Sequence, residues 1–202
     1  MIRQLLTTLA SLALAVPGLA AAPAPGGAIE LWQTLQGGHH VLLVRHAATE
    51  PGIGDPPGFA LGDCTTQRNL AAPGRADAQA LGAAVRQHGV PVARVLSSRW
   101  CRCQDTARIA FGKAEPAPML DSMLNDDESS RSRKLAELRQ AVQAWKGPGN
   151  LVLVTHDVNI RALTGDKLAQ GEVLVATRRP DGSLAVVGRL GVPKSADAVQ
   201  SM

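Results

Sequence analysis

The chain has 202 residues, of which 45% are hydrophobic, 19% are charged and only 2% are aromatic. These values predict a single globular domain with an apolar core and exclude a disordered chain. The net charge of +4 comes from scattered Lys and Arg residues and Tyr is absent, so no nucleic-acid partner is expected, because neither a basic block nor an aromatic stacking surface is present.

Residues 1–22 have the pattern of a secretory signal peptide. A positively charged start is followed by an apolar run and by small residues spaced for signal peptidase. The run is too short to span a membrane. We expect cleavage after Ala20 or Ala22, a flexible leader at residues 23–28, and a periplasmic or secreted protein without stable membrane insertion. A retained N-terminal anchor helix is the alternative.

The next part of the chain alternates short apolar runs with amphipathic segments. Continuous apolar runs predict buried strands at residues 41–44 and 151–154, and a further strand is predicted at residues 92–97. Periodicity and Gly or Pro boundaries predict helices at residues 29–36, 76–88, 105–111 and 131–145, with a short helix or loop at 163–170. A Gly- and Pro-rich loop is predicted at residues 51–63.

The last predicted elements are strands at residues 172–178 and 183–190 around the turn Pro180-Asp181-Gly182. Together the elements predict an α/β domain over residues 29–193, with a mainly parallel sheet flanked by helices and a C-terminal β-hairpin. A loose tail is expected at residues 194–202. Ligands of such sheets bind at the carboxyl ends of the strands.

Charged and polar residues follow the buried strands at those ends. Arg45 and His46 follow the first run, His156 follows the run at 151–154, and Arg102 comes soon after the predicted strand at 92–97. If the strands are neighbours, two histidines and two arginines surround one small space. Donors without a carboxylate between them favour a dianion such as phosphate.

This group of side chains predicts a definite chemistry. A neutral imidazole can attack phosphorus to form a phosphohistidine, while arginines neutralise the charge that spreads over the phosphoryl oxygens. A carboxylic acid must protonate the leaving alkoxide before water hydrolyses the intermediate. The scheme requires no metal and no cofactor.

Four segments carry motifs of a known family in the family's order. VLLVRHAATE resembles the RHG signature of the histidine phosphatase superfamily, which includes the cofactor-dependent phosphoglycerate mutases. Its LTxxGxxQA helix, its SSxxxRxxxTA segment and its second-histidine segment resemble NLAAPGRADAQALG, LSSRWCRCQDTA and LVLVTHDVNI. The resemblance runs from about residue 38 to residue 160, and the cysteine-bearing forms CTTQRNL and CRCQDTA resemble a small exported bacterial branch.

The resemblance implies a phosphoric monoester hydrolase with a small-molecule phosphomonoester as substrate. It identifies His46 as the nucleophile and Arg45, Arg102 and His156 as phosphate binders, His156 being catalytic as well. Thr49 matches the threonine of the first motif. Its hydroxyl is expected to reach a phosphate oxygen or orient His46, unless it only caps the loop.

The chain departs from the family pattern at several positions. Ala47 replaces the usual Gly after His46, and Asp157 replaces a common Gly after His156, which adds negative charge beside an anion site. Where the family has a Glu as proton donor, this chain offers Asp121 and Asp126, of which Asp121 is slightly favoured. The same acidic residues also suit a solvated helix N-terminus.

Three cysteines, Cys64, Cys101 and Cys103, allow one disulfide in an oxidising compartment. A bridge between Cys101 and Cys103 would be strained, so Cys64 is expected to pair with one of the two. A zinc site is not expected, because the chain has no CxxC pair and its histidines lie far from the cysteines in sequence.

Two other classes of function compete with the hydrolase. A non-catalytic phosphate- or phosphosugar-binding module would result if Ala47, Asp157 and a missing acid disable turnover. A thiol–disulfide protein would use Cys101 and Cys103, although the chain lacks a thioredoxin-like pattern. A mutase is disfavoured within the family, because the chain leaves little room for insertions that enclose a sugar phosphate. The oligomeric state stays open.

Overall fold

The computed structural model describes residues 25–191, so the predicted signal peptide and tail, and the start of the predicted leader, lie outside the described residues. The helices are α1 Pro25–Gln36, α2 Ala72–Gln87, α3 Cys101–Phe111, α4 Glu128–Ala144 and α5 Asp157–Thr164. The strands are β1 Val41–Arg45, β2 Val92–Ser97, β3 Glu115–Pro116, β4 Asn150–Thr155, β5 Val173–Arg178 and β6 Leu184–Leu190. Across residues 25–191, every helix is too short or too polar to cross a membrane.

The strands form one sheet in the order β3-β2-β4-β1-β5-β6. β1 and β2 both lie parallel to β4, and β3 lies parallel to β2. β5 and β6 run antiparallel as a C-terminal hairpin. The predicted α/β fold is confirmed. Because β1 and β4 are neighbours with Arg45 opposite Thr155, the residues that follow them emerge side by side.

Helices cover both faces of the sheet, which explains why its central strands are continuous apolar runs. Leu42 and Val44 of β1 pack in one core with side chains of α1, α2 and α3. Val41 and Leu43 point to the other core, which includes side chains of α4 and α5. Strands buried on both faces need no polar alternation.

The observed helices begin earlier than the predicted ones, and α2 and α3 each begin four residues earlier, at Ala72 and Cys101. α1 begins at Pro25, so residues 25–28 of the predicted leader are helical. The segment 163–170, predicted as a short helix or loop, holds only the last residues of α5, which begins at Asp157 and ends at Thr164, and the left-handed φ of 80° at Gly165 stops the helix. Asp157 in the first turn favours that earlier start, because a carboxylate stabilises a helix N-terminus.

Gly74, in the first turn of α2, is the first glycine of the family-like segment NLAAPGRADAQALG, and its surroundings explain why a glycine is needed there. A Cβ at this position would lie 1.9 Å from the carbonyl oxygen of Ala48. The backbone of Ala71 donates a hydrogen bond to the same oxygen at 3.0 Å. The start of α2 therefore presses against the turn that follows His46, and only glycine allows this close approach.

Candidate active site

The two histidines predicted to meet do so at the carboxyl edge of the sheet. The ring centroids of His46 and His156 are 5.5 Å apart with planes at 66°, and both side chains are buried. The backbone N–H of His46 donates to the carbonyl of Thr155 at 3.0 Å. Trp100 packs edge-on against His156, 5.5 Å between centroids. The pairing of β1 with β4 thus fixes both imidazoles.

His46 is held as a neutral imidazole with a defined tautomer. Its Nδ1 lies 2.9 Å from the carbonyl oxygen of Ala47. Because that oxygen can only accept, Nδ1 carries the proton and Nε2 keeps its lone pair. Burial, together with the smaller effect of the charges of Arg102, Arg45 and Arg68, lowers the pKa of His46 from 6.5 to about 3, although the hydrogen bond with Ala47 acts to raise it.

This low pKa predicts that the folded protein loses stability as the pH falls below 6.5, at pH values where His46 of the folded chain is still neutral. Below pH 6.5 the unfolded chain binds a proton at this residue, whereas the folded chain does not bind it until pH 3 is approached. We expect His46 to remove about 2–3 kcal/mol from the free energy of unfolding between pH 7 and pH 4.5. Urea denaturation at several pH values measures this change.

His46→Asn is the reference variant for that measurement. The difference in unfolding free energy between wild type and variant should shrink or reverse as the pH falls from 6.5. Burial also lowers the pKa of His156 well below its usual value, so the variant keeps part of the acid sensitivity. Identical pH dependence in the two proteins would contradict the assigned protonation of His46.

Arg45, which is half-buried, and Arg102, which is buried, place incompletely paired guanidinium groups beside the histidines. Nη1 of Arg45 donates to the carbonyl of Leu168 at 2.6 Å. Within the described residues, the Nε atoms of Arg45 and Arg102 are buried and have no hydrogen-bond partner. An unpaired buried donor is costly unless an acceptor arrives, so these two N–H groups suit an anionic ligand.

A third arginine, Arg68, joins this cluster and was not singled out from the sequence. Its guanidinium donates to the carbonyl of Gly54 at 2.7 Å and to the hydroxyl of Thr49. The Thr49 hydroxyl also accepts from the Gln170 side chain at 3.2 Å. In the described hydrogen bonds Thr49 therefore contacts Arg68 and Gln170. A direct role of Thr49 toward phosphate stays a prediction.

Asp55, also missed at the sequence level, pairs with Arg102. Its Oδ1 and Oδ2 accept from Nη1 and Nη2 of Arg102 at 2.7 and 3.1 Å. Both side chains are almost fully buried, at 6% and 4% exposure. Burial alone would raise the pKa of Asp55, but hydrogen bonds from Arg102, Arg68 and Trp100 outweigh it and lower that pKa. Asp55 is thus a buried carboxylate within the cationic cluster.

A disulfide joins Cys64 to Cys101, which resolves the pairing left open by the sequence. The bridge ties the segment that carries Arg68 to the N-terminus of α3, directly before Arg102. Cys103 is a free, buried thiol with Sγ 3.5 Å from Nε2 of His156. Burial raises its pKa to about 12. The Cys101–Cys103 pair of the thiol–disulfide hypothesis is not formed.

The two candidate acids occupy different surroundings. Asp121 is buried and accepts from the backbone and the Nε of Arg99 at 2.8 and 2.7 Å. It reaches the histidines only through Ser98, whose hydroxyl lies 3.4 Å from Oδ1 and 2.9 Å from Nε2 of His156. Asp126 pairs with Lys134 at 2.7 Å and faces the cavity beside Arg102.

That cavity has a volume of about 560 Å³ and a lining of both polar and apolar side chains. Trp100, which packs against His156, and Arg102 both form part of its wall. The other lining includes polar Asp55 and Asp126 and apolar Ile53, Phe59 and Leu124. Ile53 at the rim is 98% exposed. Space for a leaving group therefore lies next to the cationic cluster.

The structure accommodates Asp157 and Ala47, the two residues that replace glycines of the family pattern. The carboxylate of Asp157 accepts from the backbone N–H of Leu168 and pairs with Arg161, each at 3.0 Å. Its charge is therefore compensated, and it holds the segment whose carbonyl binds Arg45. Ala47 is buried, and its N–H donates to Thr106 at 3.0 Å.

The described residues, 25–191, contain no cluster of three His, Cys, Asp or Glu side chains arranged to hold a metal ion. Residues 41–127 match the family model of the histidine phosphatase superfamily (branch 1). No curated protein matches the chain.

Several solved structures share the fold. The protein histidine phosphatase SixA, solved with tungstate, is 14% identical with a TM-score of 0.55, covering 79% of this chain and 99% of its own. A candidate alpha-ribazole-5'-P phosphatase from Escherichia coli is 18% identical with a TM-score of 0.60, covering 77% and 98%. Phosphoglycerate mutase from Thermus thermophilus is 19% identical with a TM-score of 0.53, covering 76% and 99%.

At these identities the likeness to solved structures concerns the fold. The family model adds the sequence evidence, since its match begins at β1, which carries Arg45, and extends to the residue before α4. The matched segment therefore includes Arg45, His46 and Arg102. Residues 41–127 are thus similar in sequence to the histidine phosphatase superfamily (branch 1), and the described domain is similar in fold to the solved phosphatases and the mutase.

Proposed function

We propose that the protein is a metal-independent phosphomonoester hydrolase that works through a phosphohistidine on His46. The observation that carries the proposal is a neutral His46, with the Nε2 lone pair free, beside the buried and unpaired Nε–H groups of Arg45 and Arg102. Such a site combines a nucleophile with preorganised positive charge, which is what phosphoryl transfer needs. Small-molecule phosphate monoesters are the proposed substrates.

In the proposed reaction, Nε2 of His46 attacks phosphorus and the bond to the leaving oxygen breaks. Arg45, Arg102 and His156 bind the three other phosphoryl oxygens. The leaving alkoxide takes a proton from a carboxylic acid. Water then attacks the phosphohistidine, its proton returns to the carboxylate, and cleavage of the N–P bond releases inorganic phosphate and restores neutral His46.

Asp126 is the proposed proton donor. It faces the cavity beside Arg102 and pairs with Lys134 through Oδ2 alone, whereas both oxygens of Asp121 accept from Arg99. We expect Asp126→Asn to lower kcat/KM for alkyl phosphates about 10²-fold. The loss for p-nitrophenyl phosphate should be much smaller, because nitrophenolate leaves without a proton. Steady-state kinetics on the two substrate types measure the contrast.

Asp121→Asn is the matched comparison for that prediction. It should lower kcat/KM for both substrate types by a similar factor, since Asp121 contacts Arg99 and Ser98. A leaving-group-dependent loss in Asp121→Asn but not in Asp126→Asn would move the acid role to Asp121.

The function itself is tested by hydrolysis of p-nitrophenyl phosphate with and without EDTA, together with rapid quenching and detection of phosphohistidine. Hydrolysis that survives chelation and an intermediate on His46 are the expected results. Tight phosphate binding without turnover would instead favour the binding-module hypothesis. Transfer of the phosphoryl group to an added alcohol in preference to water would favour a mutase.

We also propose that the protein is exported and belongs to a small exported bacterial branch of the superfamily. The N-terminal pattern and the Cys64–Cys101 disulfide support this, because disulfides persist in oxidising compartments. Cell fractionation with N-terminal sequencing of the mature protein tests the location and the cleavage site.

A further inference from the structure

We infer that Asp55 is a positioning residue for phosphate binding, acting through Arg102. The inference rests on the proposed function, since it concerns how the same site holds its phosphate. The carboxylate of Asp55 contacts both terminal nitrogens of Arg102, and neither the family match nor the motifs assign it a role. It lies in the loop at residues 51–63, where the sequence indicated no functional side chain.

The bidentate contact leaves one edge of the guanidinium for a ligand. Nη1 and Nη2 of Arg102 both donate to Asp55, and Nη1 also lies 3.4 Å from the carbonyl of Arg68. The Nε–H remains buried and unpaired. A forked carboxylate contact fixes the plane of a guanidinium. Asp55 therefore sets the direction in which the remaining donor of Arg102 points.

Asp55 is itself held by two donors besides Arg102. Nε1 of Trp100 donates to Oδ2 at 2.9 Å, and the backbone N–H of Arg68 donates to Oδ1 at 3.0 Å. The Cys64–Cys101 disulfide and the contact of Arg68 with Gly54 at 2.7 Å anchor the same loop. Four donors on one buried carboxylate make it a fixed part of the site.

The charges agree with this role. Arg45, Arg68 and Arg102 act together on His46, since all three lower its pKa. With Asp55 among them, the cluster carries a net charge of +2, from three cations and one anion. A phosphomonoester dianion would neutralise that charge.

A competing interpretation makes the opposite prediction. If Asp55 occupied the place of the phosphate, a ligand would have to displace it, and removal of its charge would tighten phosphate binding. If Asp55 positions Arg102, removal of its charge loosens Arg102 and weakens phosphate binding. The sign of the change in phosphate affinity therefore separates the two.

The test is calorimetric titration of the full-length Asp55→Asn protein with inorganic phosphate, alongside kinetics on p-nitrophenyl phosphate. We expect the Kd for phosphate and the KM to rise about tenfold, with kcat changed less than about threefold, because a charge-assisted contact is lost from a group that does not touch the reacting atoms. Asp63→Asn is the matched control, since Asp63 belongs to the same loop, is exposed and contacts Thr65.

A double variant shows whether Asp55 acts through Arg102. In an Arg102→Lys background, Asp55→Asn should change the Kd for phosphate less than about twofold, since two substitutions in one interaction are not additive. An unchanged or lower Kd in Asp55→Asn, or full additivity in the double variant, would overturn the inference. Failure of the wild type to bind phosphate would instead overturn the proposed function.

Discussion

Replacement of His46 by alanine should reduce phosphatase activity by at least about 10⁴-fold and abolish the acid-labile phosphoenzyme. The reason is specific to this residue. The Nδ1–H of His46 donates to the carbonyl of Ala47. The charges of the three surrounding arginines disfavour protonation of the ring, so Nε2 keeps a lone pair that is available to attack phosphorus. Rapid-quench labelling with p-nitrophenyl phosphate and steady-state kinetics in EDTA measure the two effects.

His39→Asn is a suitable control for that experiment. His39 is exposed at the opposite end of β1 and has a left-handed φ of 63°, which asparagine adopts readily. It should retain wild-type activity and the same phosphohistidine. A phosphoenzyme that persists in His46→Ala, or a rate within tenfold of wild type, would refute His46 as the nucleophile.

Loss of the disulfide should have the largest effect on stability. Replacing Cys64 by serine opens a covalent loop with a sequence separation of 37 residues. The lost constraint on the unfolded chain corresponds to about 4 kcal/mol of unfolding free energy. The bridge also anchors the segment that carries Arg68 next to α3, so phosphate affinity should fall with it. Urea denaturation and phosphate titration measure both changes.

Reduction of the wild type provides the control. Treatment with dithiothreitol should destabilise the wild type by a similar amount and leave Cys64→Ser unaffected, because Cys103 is buried and forms no bridge. Equal stability of the oxidised wild type and the variant, or equal sensitivity of both to the reductant, would show that the bridge does not carry this stabilisation.

The central sheet and the histidine pair were predictable for a clear physical reason. β1 and β4 are buried on both faces, so they appear as uninterrupted apolar runs, and the polar residues that follow them mark the ends of the strands. Parallel neighbours bring those ends together, which placed His46 beside His156. Arg102 followed from the same reasoning with help from the family-like segment.

Asp55 and Arg68 were not predictable in the same way. Both lie in irregular loop segments without periodicity, and their importance comes from contacts with residues far along the chain, such as Asp55 with Arg102, 47 positions away. The preference for Asp121 as the acid came from a sequence position alone. The Arg99 contact that occupies Asp121 depends on tertiary structure.

The side-by-side placement of β1 and β4 has a consequence for biogenesis. When only the first 149 residues have left the ribosome, the nascent chain already contains Arg45 and His46. The strand β4, which pairs with one edge of β1, has not yet emerged. Contacts between such distant segments form late, because closing a long loop is entropically unfavourable. A chain without β4 therefore lacks the pairing that brings His46 beside His156, and the site is complete only after β4 has joined the sheet.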